Sequence, residues 1–153
     1  MTRKSKVIAT LGNSTDSILE KIVDGGADAV LIDTYYGEEE ENVSRIEKIK
    51  QLREKLNKNT AIIYDLDHIY AQSKYKLIKI EEESVDFACK HDVDFIACPF
   101  VSNIDEIRKV KDILTSRGKK DIGLIVKIDC KEAYDNIDEI ISFADSIMIN
   151  RDE

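Results

Sequence analysis

The sequence predicts an α/β fold: six β-strands joined by five helices, forming a parallel sheet covered by helices. Three observations carry this. Short β-rich runs alternate with longer runs of helical period, and the order never breaks. The strand runs are mostly apolar, as strands covered on both faces require. At 153 residues with 42% hydrophobic content, residues 1–153 read as one domain long enough to bury a core. Periodicity alone leaves open whether the sheet is doubly wound or part of a closed barrel.

The first predicted strand is Lys6–Leu11. A helix over Thr15–Asp24 follows, with Ser14 or Thr15 available as its N-cap and Gly25 and Gly26 available to end it. After a strand at Ala29–Tyr35 comes the clearest helix, Glu38–Leu56, with Val43, Ile46, Ile49, Leu52 and Leu56 on one stripe and Glu or Lys opposite. A third strand covers Thr60–Leu66. The segment Asp67–Ile80, DHIYAQSKYKLIKI, interrupts the rhythm and reads as a short extended hairpin or a loop over the site. Helix Glu81–Lys90, strand Asp94–Phe100, helix Ile104–Arg117, strand Gly123–Asp129, helix Lys131–Phe143 and strand Ser146–Arg151 complete the series.

The net charge of -8 repels nucleic-acid phosphates and anionic lipid surfaces, so neither is an expected partner. No apolar run approaches the roughly 18 residues that span a bilayer. MTRKSKVIATLG lacks the apolar core of a secretory leader, and the expected location is the cytoplasm. The three cysteines, Cys89, Cys98 and Cys130, have no CxxC spacing and read as small buried hydrophobes, with a reactive thiol near a strand end as the alternative. The turn after the first strand, TLGNST, has a single glycine, which argues against a nicotinamide cofactor.

Side chains alternate along GLIVKID, so Ile125, Lys127 and Asp129 share one face. A lysine and a carboxylate thus meet at a strand's C-terminal end, where parallel α/β proteins open a crevice for ligands. D-L-D-H, with Asp65, Asp67 and His68, forms a second polar cluster. Together with Asp33, its two aspartates bring three carboxylates to adjacent strand ends. Such crowding is costly unless a cation is bound or a proton is shared. The bland readings are a salt-bridged strand end for the first cluster and a solvated His68 for the second. Tyr35 and Tyr36 read either as space-fillers or as a ligand-stacking pair.

Several segments, in order along nearly the whole chain, resemble the pyruvate kinase family. RKSKVIATLGNSTDS resembles the opening of that family's barrel, where the strand ends in T-[IL]-G-P-[AS]-S; GGADAVLIDTYYG resembles G-x-D-x-x-R-[LMI]-N-[FM]-S-H-G; and IIYDLDHIYAQ resembles a strand ending D-[TL]-K-G-P-[EK]-I-R. VDFIACPFVSN is similar to D-x-[IV]-A-x-S-F-V-R, IVKIDCKEAYDNIDEII to I-x-K-I-E-N-x-E-[AG]-[VL]-x-N-[FIL]-[DE]-E-I, and ADSIMINRDE to S-D-G-I-M-[VI]-A-R-G-D. The resemblance implies a partial TIM-barrel-like parallel sheet. Asp67–Ile80 stands where the family inserts a lid domain, and the last two barrel strands and the C-terminal domain have no counterpart in the sequence.

By the same resemblance Lys127 falls on the catalytic lysine, Asp129 on a metal-binding glutamate, Arg151 on the arginine of A-R-G-D and Glu153 on its metal-binding aspartate. It implies Mg2+ or Mn2+, a monovalent cation at Asp65, and a small organic acid or phosphorylated metabolite such as phosphoenolpyruvate or pyruvate. The departures are as specific. Leu31 replaces a phosphate-binding arginine, which no leucine can imitate. Asp33 and Tyr35 replace an asparagine and a serine that hold potassium. Tyr36, Asp67 and Gln72 replace a histidine, a lysine and an arginine, while Asn13 and Pro99 replace a proline and a serine.

Phosphoryl transfer depends on positioning and electrostatics, so ordinary pyruvate kinase activity is not expected. Two readings result: a divergent relative that keeps a divalent-cation and keto-acid site, or a non-catalytic interaction or regulatory protein on a degenerate barrel. Six consecutive barrel strands leave the first and sixth unpaired, and covering them predicts a homo-oligomer, most simply a homodimer.

Overall fold

The computed structural model describes residues 4–34, 38–66 and 82–149. The chain divides into two compact units, Met1–Asp65 and Leu66–Glu153. Both have the α/β class expected, with parallel strands in chain order and helices between them.

The first unit contains β1 (Ile8–Leu11), α1 (Leu19–Asp24), β2 (Ala29–Asp33), α2 (Glu39–Leu56) and β3 (Ala61–Asp65). β2 pairs in parallel with β1 on one side and β3 on the other, Leu31 standing level with Thr10 and Ile63. Ala29 to Ile32 are all buried, as a strand covered on both faces must be. Ile46, Ile49 and Leu52 of α2 join Val23 of α1 in the core, whereas Val43 and Leu56, at the margins of the predicted stripe, are half-buried. Glu38 and Glu41 close a capping box at the start of α2, and Asn57 ends it in the left-handed region at φ 50°.

The predicted first helix is split. Residues Asp16–Ile18 form a 3-10 turn before α1, and Ile18 at the junction has φ -122° and ψ 13°. Thr15 does not cap a helix. Its hydroxyl donates to the Gly12 carbonyl at 2.7 Å and accepts from the Gly12 N–H at 2.9 Å, closing the loop after β1 on itself.

The second unit contains α3 (Glu82–Lys90), β4 (Phe95–Cys98), α4 (Ile104–Ser116), β5 (Gly123–Ile128), α5 (Lys131–Asp135), α6 (Ile137–Phe143) and β6 (Ser146–Ile149). β5 lies between β4 and β6, parallel to both. Its glycine has a steric reason: Gly123 is the register partner of Phe95, and a Cβ there would lie 2.4 Å from Phe95 Cδ1. Asn103 caps α4, its side-chain oxygen accepting from the Asp105 and Glu106 N–H groups. The predicted helix Lys131–Phe143 is two helices that meet at Asn136, where φ is -105° and ψ 17°.

One device recurs in both units. Asp28, just before β2, accepts the Val7 N–H at 2.8 Å, and Asp145, just before β6, accepts the Leu124 N–H at 2.8 Å. Each carboxylate ties the entrance of its strand to the neighbouring strand. Among the described residues no helix is long and apolar enough to cross a membrane.

Candidate functional site

Lys127 is the fifth residue of β5 and is only 8% exposed, beside Met148 of β6. Burying an ammonium costs several kcal/mol unless opposite charge or hydrogen bonds accompany it. Asp129 follows directly after the strand. Both its oxygens accept the Phe100 N–H, each at 3.1 Å. Phe100 has φ 51°, a left-handed conformation that costs a non-glycine residue about 1 kcal/mol or more, and the carboxylate's hold on its N–H opposes that cost. The sequence placed Lys127 and Asp129 on one face; it gave no sign that Asp129 would grip the preceding loop.

In the first unit, Asp33 and Asp65 are the last residues of β2 and β3 and stand level in the register. Adjacent strands are about 4.8 Å apart, so the two side chains leave the same face as close neighbours. Asp65 is 6% exposed and Asp33 half-buried. The register brings two of the three carboxylates named from the sequence level with one another, and the third, Asp67, lies outside the described residues. Among the described residues no group of three or more His, Cys, Asp or Glu is placed to hold a metal ion. Asp33 and Asp65 are thus one carboxylate pair, and Asp129 is a single carboxylate after β5.

Asn13 belongs to a polar cluster that sequence reasoning missed. Its side-chain oxygen accepts from Arg45 Nη2 at 2.6 Å, and Arg45 also donates to both oxygens of Asp16, at 2.7 and 2.8 Å, and to Asn42 Oδ1 at 2.9 Å. The Arg45 guanidinium, 2% exposed, holds the Asp16 carboxyl below its usual range, and its own pKa is raised in return. Asn42 and Arg45 lie at helical spacing from Ile49 and Leu52, which was the available signal. A hollow of about 420 Å³ beside the cluster is lined by Asp16, Glu40, Glu41, Arg45 and Lys48 among others. A second, of about 350 Å³, is lined by residues Thr10 to Thr15.

Burial raises the thiol pKa of Cys89 and of Cys130; Cys89 and Cys98 are buried as packing residues, whereas Cys130 is half-buried and its sulfur caps α5 by accepting the Ala133 N–H. Tyr35, Tyr36, Asp67, His68, Arg151 and Glu153 lie outside the described residues.

Residues 73–153, more than half of the chain, match the family described as "Pyruvate kinase, barrel domain". The chain belongs to the pyruvate kinase family. It is 43% identical over 65 residues to the pyruvate kinase of Clostridium perfringens, a match covering 42% of this chain and 14% of that protein. To the Dictyostelium discoideum pyruvate kinase it is 33% identical over 109 residues, covering 71% of this chain and 20% of the relative. To that of Thermotoga maritima it is 24% identical over 241 aligned positions, covering 97% of this chain and 52% of the relative. Even the longest of these matches spans about half of the relative. Lys127 and Asp129 both lie inside the pyruvate kinase family match.

Proposed function

We propose that this chain binds a small organic or phosphorylated acid, of the keto-acid or phosphoenolpyruvate kind, at the C-terminal end of β5. The observation that carries the proposal is Lys127, buried on β5 two residues before a carboxylate held in place by a backbone N–H. The ammonium would face the acid's carboxylate or phosphate, and Asp129 would give one oxygen ligand to Mg2+ or Mn2+. Such an ion supplies charge neutralisation at the acid's oxygens. The family resemblance would bring Arg151 and Glu153 to the same acid, and Asp33 and Asp65 to a further cation, monovalent or divalent.

Ordinary phosphoryl transfer is not part of the proposal. Leu31, where the family has its phosphate-binding arginine, is 9% exposed and packed in the core of the first unit, so no guanidinium is available there. Calorimetric titration with Mn2+ plus oxalate tests the reading. Binding by wild type that falls at least tenfold in Lys127→Ala and Asp129→Ala is expected for loss of a charge-assisted contact; no binding by wild type refutes it.

The second reading, an interaction or regulatory protein, is favoured by apolar side chains that stand exposed: Val7, Ile8, Ile141 and Ile149. Their burial between two copies is our proposal for a cytoplasmic homodimer. A monomer by light scattering at micromolar concentration, without exposed-hydrophobe dye binding, would exclude it.

A further inference from the structure

The β4–α4 loop, residues 99–103, is tied down from the far end of β5 by three side chains. Asp129 accepts the Phe100 N–H, the Cys130 thiol donates to the Val101 carbonyl at 3.7 Å, and Asn136 Nδ2 donates to the Ser102 carbonyl at 2.9 Å. Glu106 completes the hold, accepting the Ser102 N–H at 2.8 Å and its hydroxyl at 3.2 Å. Three consecutive loop residues thus have their backbone polar groups bound by side chains. Cys98 stands level with Val126, so the chain leaves β4 alongside the Lys127–Asp129 segment.

Asn136 is the informative member. It is exposed, so it brings no core burial, yet the helical run from Lys131 to Phe143 breaks at its position. The Asn136 backbone stays bonded across the break, donating its N–H to the Glu132 carbonyl at 3.1 Å and accepting the Ile140 N–H at 3.0 Å, while its side chain reaches out to a loop carbonyl. Ordering a loop in advance removes an entropic cost from whatever binds beside it.

We propose that Asn136 is a positioning residue: with Asp129 and Cys130 it straps the β4–α4 loop into a preformed wall for the acid held at Lys127. The inference rests on the acid-binding reading above. Its test uses the full chain as wild type, Asn136→Ala and the near-isosteric Asn136→Asp, which loses the donor, with Ser142→Ala as a control for loss of an unrelated surface hydrogen bond. Two readouts are taken: amide hydrogen exchange at Phe100 and Ser102, and Mn2+-oxalate affinity by calorimetry.

Both Asn136 variants are expected to exchange these amides about tenfold faster and to bind about tenfold more weakly, with β5 amides unchanged and Ser142→Ala like wild type. Unchanged exchange in both variants overturns the strap. Faster exchange with unchanged affinity overturns the positioning role and leaves the acid site standing. Absence of binding by wild type overturns the acid site, and the wall with it, while the exchange rates still decide whether the strap exists.

Discussion

Gly123→Ala offers the sharpest test of how β5 is built. The new Cβ would sit 2.4 Å from Phe95 Cδ1 and 2.5 Å from Cε1. Ordinary carbon contacts lie at about 3.5–4.0 Å, so the ring or the strand must give by roughly 1 Å. Moving the strand means shifting the residues that lead to Lys127, and moving the ring forces Phe95 off its rotamer. Overpacking of this kind costs about 1–3 kcal/mol. It opposes the roughly 0.5–1 kcal/mol that alanine would otherwise gain over glycine within a strand. At about 2–4 °C per kcal/mol for a chain near this size, the midpoint should fall by about 4 °C at the centre of these ranges and by at most about 10 °C. Thermal unfolding followed by circular dichroism measures it. Adding Phe95→Leu should then recover part of the loss, so a double-mutant cycle gives coupling of about 1 kcal/mol. A Gly123→Ala protein as stable as wild type, or more so, would show that the ring does not occupy this space and would refute the argument.

Three further outcomes are expected. Arg45→Ala should destabilise the first unit by about 1–3 kcal/mol in urea unfolding, kept below the value of a fully buried pair because Asp16 is 43% exposed, and Arg45→Lys should not restore it because the two-pronged contact with Asp16 is lost. Arg45 lowers the folded-state pKa of Asp16, so the stability this carboxylate adds is present above its unfolded value of about 3.9 and is lost as pH falls through the folded value; the gap between wild type and Asp16→Asn should be constant near neutrality and close in acid. With thiol pKa values raised by burial, Cys89 and Cys130 should react with a maleimide at pH 7 more slowly than in urea-unfolded protein, and a fast-reacting native thiol would contradict the packing.

The fold was readable because its signals are local. The predicted strands Ala29–Tyr35 and Thr60–Leu66 placed Asp33 and Asp65 on adjacent strands, and the observed register sets the two level. The two helix breaks were not readable, since each depends on a distant partner. Asp16 turns toward Arg45, 29 residues away, and Asn136 toward Ser102, 34 residues away. Periodicity sees neither. The same limit hid the role of Asp129: its position at a strand end suggested a ligand, but the donor it holds is a backbone N–H whose exposure depends on a left-handed phenylalanine. Arg45 was obscured for a different reason, because a charged residue on α2 reads as surface until its neighbours Asn42 and Ile46 are seen to face inward.

Asp28 and Asp145, which hold the entrances of β2 and β6, divide labour along the strands. A slip of one residue would cost each carboxylate its N–H partner as well as turning apolar side chains outward, so alignment is secured at the end away from Lys127, Asp129, Asp33 and Asp65. The opposite ends are then relieved of that duty. Residues there can be exchanged without loosening the frame that carries them. Control of register and tolerance of substitution thereby fall to opposite ends of these strands.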